Sequence, residues 1–539
     1  MAMRSGVIFI FMVVLIFVNN VVAQNYSLDG TTAVEIRNER NMYSGKAFPS
    51  VRPWKYKEMF FADSSRNLLP DSLFFPMLTV GNTWQFKARI EPFLESSADL
   101  SNGNFLLSHS AAGITVMSFY KKLMFQGSLR VGSMNPLGIA RYYADSLHVL
   151  PGLGMIGDLQ RSSFTYILPR ISLNAEVSEH FSAEVGIGTH FFGDGKRSLI
   201  LSDEHYPYPY LKLSTNIWKL RYVNLFAWQR DVQSTNAEQW KDGISKFNAM
   251  HYLSWNVTKR FNLSVFEAIV CPLQDSLMRR QFVEYNYLLP VVMYRPLDFA
   301  LGSPDNVLIG LNASFTAGNH VIYGQLVMDE MFMNEIRADL LNVVKPDSAR
   351  PHGAWVNKQA FQLGWKHYEM FGINHLDGLV EVNFIRPFIY AHRDVQQNYT
   401  HLNQPLAHPL GANLIELTGR IRYTGQKWFA RFDFSIAKTG LDSSGALFGS
   451  DVFRPTFDSP IAGLDNIPVQ YYGNTITKGV PCNIYYVSAA VSRVLLPQYN
   501  IRGELGFSMR NVLVQKLAKS SAYIHFGVKW GIGVERRGL

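Results

Sequence analysis

AYIHFGVKWGIGV, residues 522–534, sorts its side chains in twos. Ile524, Phe526, Val528, Trp530, Ile532 and Val534 fall on one face, and His525, Gly527, Lys529, Gly531 and Gly533 on the other. Side chains of an extended chain point alternately to opposite faces, so this period predicts a β-strand with one apolar and one polar side. The same grammar returns upstream. Trp84, Phe86, Ala88 and Ile90 oppose Gln85, Lys87, Arg89 and Glu91, and Leu123, Phe125, Leu129 and Val131 oppose Gln126, Ser128 and Arg130. Similar alternation marks 181–188, 380–384, 428–436 and 501–510.

The first residues read as an export signal. Arg4 precedes an apolar run from Val7 to Val18, and Val21, Val22 and Ala23 supply the small residues expected before cleavage ahead of Gln24. The alternative is an uncleaved anchor, but the run falls short of the about 20 residues of a comfortable span, and Asn19 and Asn20 interrupt it. No later stretch reads as a spanning helix; the apolar patch from Tyr287 to Tyr294 contains Pro290. An exported chain that crosses lipid without helices must do so as a closed barrel, because an open sheet leaves backbone groups unsatisfied.

Alternation alone also fits a soluble sandwich, whose apolar face turns inward. Three features favour the barrel. The polar faces mix charges of both signs with glycine, as a water-filled or plugged lumen does. The strands run near the about 9–11 residues that a tilted crossing needs. No linker, low-complexity tract or charge run divides the 539 residues, although that length would otherwise suggest several soluble domains.

The expected fold is therefore all-β, a transmembrane antiparallel β-barrel of about 16–18 strands with a short irregular N-terminal extension. The expected organisation is a signal peptide over 1–23, an N-terminal extension and candidate periplasmic plug over 24–78, and the barrel over 79–539. The extension is polar, with Arg37, Arg40, Lys46, Arg52 and Lys55 among Asn, Ser and Pro. Short turns near Asn216 and over Thr258–Asn262 are assigned to the periplasmic side; 201–209, 339–357, 393–412 and 440–471 are assigned to extracellular loops. The last strand should pair with the first near Trp84, with Phe526 and Trp530 toward lipid and Lys529 toward the lumen.

Composition narrows the chemistry. Aromatics make up 14% and charged residues 17%, which suits interfacial girdles around an apolar wall. The net charge is +9, but the basic residues are scattered without a recognition motif, which argues against nucleic acid. A solvated basic surface and lumen is the ordinary reading; attraction to acidic polysaccharide or lipopolysaccharide phosphate is the sharper one. Two cysteines, Cys271 and Cys482, are too few for a disulfide scaffold, and whether they pair stays open. No CxxC or HExxH spacing supports a metal, no cofactor motif is present, and no Gly-x-Ser-x-Gly elbow supports a hydrolase. The adjacent Asp329 and Glu330 would face opposite ways on a strand and so make no catalytic pair.

Two constellations remain. GDGKRS, 193–198, gathers Asp194, Lys196 and Arg197, with Asp203 close behind. It reads either as a glycan-binding loop, its cations pairing acidic sugars, or as a glycine turn fixed by an internal ion pair. YRPLDFALGSPDN, 294–306, offers Arg295, Asp298 and Asp305 for an ion pair in the lumen. His401 and His408, seven apart on a loop, are a poor basis for a metal.

Three long segments, Gly186–Trp228, Phe282–Asn312 and Tyr399–Leu417, together resemble the Wzi-like capsule-assembly family, in particular its Bacteroidota branch of RemB-like gliding-motility proteins. The resemblance spans about residues 115–510. It implies an outer-membrane barrel of a Gram-negative cell that is no enzyme, that holds or organises capsule or exopolysaccharide, and that in the gliding branch supports motility beside gliding or export machinery. Against this stand a porin-like channel for solute or saccharide passage and a soluble exported carbohydrate-active enzyme.

Overall fold

The computed structural model describes 39–40, 43, 47–52 and 78–80 ahead of the barrel. Within the barrel it describes 86–136, parts of 141–156, 163–232, 243–274, 283–289, 305–456 and 470–530, with short interruptions. Among the described residues, eighteen long antiparallel strands form one closed sheet. They are β1 Phe86–Ser101, β2 Asn104–Tyr120, β3 Leu123–Met134, β4 Phe164–Glu176, β5 Phe181–Gly188, β6 Tyr208–Ile217, β7 Leu220–Asp231, β8 Ile244–Asn256 and β9 Phe261–Pro272. There follow β10 Asn306–Ala317, β11 His320–Met328, β12 Gln359–His367, β13 Leu376–Ile385, β14 Leu414–Thr424, β15 Trp428–Leu441, β16 Val480–Leu496, β17 Ile501–Val514 and β18 Leu517–Trp530. Each pairs with its neighbour in chain order, and β18 returns to β1, Trp530 opposite Leu94 and Ile524 opposite Leu100. Closure on the first strand is as expected, but farther along it than Trp84, which lies outside the described residues. Leu78–Val80 adds a short pairing to the start of β1.

The burial pattern is inside-out relative to a soluble protein. On β12, Phe361, Leu363 and Trp365 are 46%, 59% and 42% exposed, while the intervening Gln362 and Lys366 are each 4% exposed. The same inversion holds on β3, β15 and β17, where Leu129, Ile436 and Leu505 face out. Apolar side chains on the outside and buried polar ones on the inside suit a wall with lipid around it. Phe526 on β18 is outward and His525 inward as expected; the side chains of Lys529 and Trp530 are outside the described set. Among the described residues, no helix is long and apolar enough to cross a membrane.

The two ends differ. Connections after even-numbered strands are short, such as Trp218–Lys219 and 257–260, whereas most connections after odd-numbered strands are long. Short turns mark the periplasmic end of such barrels and long loops the outer end. Of the segments assigned from the sequence, 257–260 lies on a short connection, while 201–207, 345–347, 393–412 and the described residues within 442–471 lie on long ones. The loops do not simply stand up into water, however. Leu199, Ile200 and Leu201 of the β5–β6 connection, with Ile389, Tyr390, Tyr399, Leu406 and Ala407 of the β13–β14 connection, pack in one buried cluster against inward residues of β7, β8 and β9. That apolar core lies inside the barrel, where a lumen would run.

Candidate functional site

The interior is built by residues that the strand period turns inward. Polar inward groups are shielded from lipid and need partners, because an unpaired buried charge costs several kcal/mol, on the order of 3–5. Glu381 on β13, Glu416 and Thr418 on β14 and Asp433 on β15 are all buried on that face. They receive the GDGKRS loop, which descends from the outer end.

Glu381 accepts from the backbone N–H of Lys196 at 2.9 Å and of Arg197 at 3.2 Å. Tyr323 on β11 adds its hydroxyl at 2.8 Å, and Asn383 its amide at 3.0 Å. The Arg197 guanidinium sits between Glu204, 2.8 Å away, and Glu416, 3.2 Å away. Burial alone would lower its pKa, but Glu204 and Glu416 outweigh that and hold it above the usual arginine range. His408 Nε2 lies 2.7 Å from Glu416 as well, and Ser435 donates to it at 2.6 Å. The Lys196 ammonium donates to Thr418 at 2.9 Å and faces Asp433 at 3.5 Å. Burial, with Arg197 and Arg420 nearby, pushes Lys196 down to about 8, against the pull of Asp433 and Glu416.

Two glycines let this loop in. Gly193 holds φ at 145°, and a Cβ there would collide with the amide of Gln325. A Cβ on Gly195 would collide with the Glu381 carboxylate. The loop therefore touches the wall with its backbone, an approach open to glycine alone.

A second segment meets it from the periplasmic end. Glu39 pairs with Lys366 on β12 at 2.5 Å and with Arg422 on β14. Burial works to raise the Glu39 carboxyl, but Lys366, Arg422 and Arg52 prevail and hold it well below the usual range. Tyr43 donates to Asp194 at 2.8 Å, and Asn312 on β10 donates to the other oxygen of Asp194 at 2.9 Å. Val51–Arg52 then forms a two-stranded antiparallel sheet with Phe191–Phe192, and Gly193 N donates to Ser50 O at 2.8 Å. The N-terminal segment and the outer loop join inside the barrel.

Asp194 and Arg197 are buried in the lumen and Lys196 is partly buried beside them, their polar atoms engaged by wall residues. Asp203 is half-buried higher on the same loop. The physical reason is the wall's own acids, Glu381, Glu416 and Asp433, which draw the loop's cations inward. In the other constellation, Asp305 accepts from Tyr287 at 2.8 Å and Gln397 at 3.2 Å; Arg295 and Asp298 lie outside the described residues. Asp329 and Glu330 follow β11 rather than sitting on it; Glu330 pairs with Lys358. Cys271 and Cys482 are free and buried. Among the described residues no group of His, Cys, Asp and Glu could hold a metal ion. Sequence reasoning named the loop's charges but not their receptors. The signal was present: Glu381 and Asp433 occupy polar positions of alternating strands.

Comparison with solved structures fits this geometry. The fold is similar to that of Wzi, an Escherichia coli outer-membrane protein involved in group 1 capsule assembly and described as a carbohydrate-binding β-barrel. The TM-score is 0.53 at 10% identity, over 95% of this chain and 99% of that one. It is an outer-membrane β-barrel fold. OccAB2 of Acinetobacter baumannii matches at TM-score 0.43 and 8% identity, over 84% of this chain and 99% of that one. OccK1 of Pseudomonas aeruginosa matches at 0.43 and 8%, over 82% and 98%. No protein-family model and no curated protein matches the chain in sequence.

Proposed function

We propose that this chain is a non-enzymatic outer-membrane barrel that holds surface polysaccharide at its outer end and supports capsule attachment or gliding. The observation that carries the reading is the filled lumen. Phe192, Leu199, Leu201, Tyr208, Tyr252 and Tyr399 have essentially no exposed surface, and they lie where a solute path would run. A barrel packed this way is a scaffold for its loops. The outer end offers sugar-compatible groups: Tyr471 and Tyr472 are exposed, their rings edge-to-face at 4.7 Å, beside Gln470 and Lys478. Tyrosine faces with amides and an ammonium suit weak contact with a repeating glycan, and many such contacts along one polymer yield retention by avidity. Lys196 and Arg197 contribute by fixing the loop that supports this end.

The likeness in fold to a carbohydrate-binding barrel supports the reading, and so do the segments that resemble the capsule-assembly family. A deletion strain should shed surface polysaccharide into the medium and spread poorly on agar. Retention and spreading both unchanged would refute the proposal.

A further inference from the structure

The β11–β12 connection contains a helix, α1, Met333–Val344. At 3.6 residues per turn its residues sort onto two opposed faces. One face is fastened to the rim. Glu335 accepts from the Tyr472 hydroxyl at 3.2 Å. Asp339 accepts from Gly353 N at 2.6 Å and Asn357 at 2.9 Å, and pairs with Arg386 at 3.4 Å. The other face is apolar and bare: Met333 is 68% exposed, Leu340 62% and Val344 83%, with Leu341 beside them. Arg337 lies within that face and Lys345 follows its end; both are exposed, and among the described residues neither has an ion-pair partner.

We infer that α1 lies flat in the outer leaflet and binds its phosphate-bearing glycolipid, lipopolysaccharide. Three observations select this occupant. The acids point to the rim and the cations outward, which matches a surface of anionic headgroups. The helix belongs to the connection that leads into β12, whose Phe361 and Leu363 are outward and exposed, so an apolar wall begins where this connection ends. An apolar stripe of this size in open water would be an aggregation hazard, whereas at the boundary of headgroups and acyl chains it is buried. The helix thereby sets the depth of the outer rim, independently of whether the loops bind glycan.

The test uses the full-length barrel with Cys271→Ser and Cys482→Ser, carrying a nitroxide at Leu340→Cys, Val344→Cys or, as a control, Gln470→Cys. Each is reconstituted in phosphatidylethanolamine vesicles with and without lipopolysaccharide, and folding is verified by heat-dependent gel mobility. With lipopolysaccharide, labels at 340 and 344 should be several-fold more accessible to oxygen than to a water-soluble nickel chelate, with the reverse at 470. Equal access to the chelate at all three sites would overturn the inference. So would dipolar broadening between copies, which indicates a second barrel on this face, or exclusion of both reagents, which indicates cover by residues 457–469. Arg337→Glu combined with Lys345→Glu should at least halve the lipopolysaccharide that co-purifies with each barrel; an unchanged amount overturns the phosphate contact.

Discussion

The outer wall and the lumen of this barrel obey different rules, although the same strands build both. On β12, Leu363 and Trp365 face out and need only be apolar, since any hydrocarbon side chain satisfies lipid. Lys366, next along the strand and facing in, meets specific partners, Glu39 and Tyr43, from a segment more than three hundred residues away in sequence. The wall is therefore specified by composition and the lumen by pairing. Substitutions on the wall should be tolerated by class, and substitutions in the lumen judged partner by partner.

Arg197→Ala breaks that pairing most severely. It removes the guanidinium shared by Glu416 and Glu204, leaving Glu416 only His408, Ser435 and Asn383, and urea unfolding in lipid should show a loss of about 3–5 kcal/mol; Arg197→Lys should recover only part, because the ammonium lacks the fork that spans both carboxylates. Leu363→Arg puts a charge on the wall and should cost about 2–4 kcal/mol in the same assay. Acidification comes next. Burial holds His392 down at about 4 from its ordinary 6.5, and burial likewise lowers His190 and His401. The unfolded chain binds these protons first, so stability is full above pH 6.5 and falls as the pH drops from there toward 4, by on the order of 2 kcal/mol for one such histidine. Tyr43→Phe removes the hydroxyl that joins Asp194 and Lys366 and should cost about 1 kcal/mol. Leu363→Ile, which respects class, should cost less than about 1 kcal/mol. A large loss from Leu363→Ile, or none from Arg197→Ala, would erase the distinction.

What the sequence revealed follows the same division. The period of two located Leu123–Val131, Trp428–Ile436 and Ile501–Met509 on strands and named their outward faces, because lipid exposure imposes a rule that each strand obeys alone. Loop length told the two ends apart. The contacts inside the lumen were less legible. GDGKRS has the composition of a surface turn, and only its neighbours, the apolar Leu199–Leu201, hinted that the segment leaves water. Its receptors Glu381 and Asp433 stood at polar positions of alternating stretches and Glu416 did not, but pairing across about two hundred residues is a property of closure, and no local pattern encodes it. Glu39 and Tyr43 lay in a stretch with no alternation, so nothing nearby indicated that they contact Lys366, Arg422 and Asp194.

The N-terminal segment and the β5–β6 connection meet inside the barrel, and their joint closes the lumen. Planar-bilayer conductance of the purified barrel checks this closure, with a variant lacking residues 194–204 measured alongside. The intact barrel should carry no steady current at either polarity, and the variant should show long-lived open events. A stable ohmic conductance from the intact barrel, unchanged by the deletion, would contradict it.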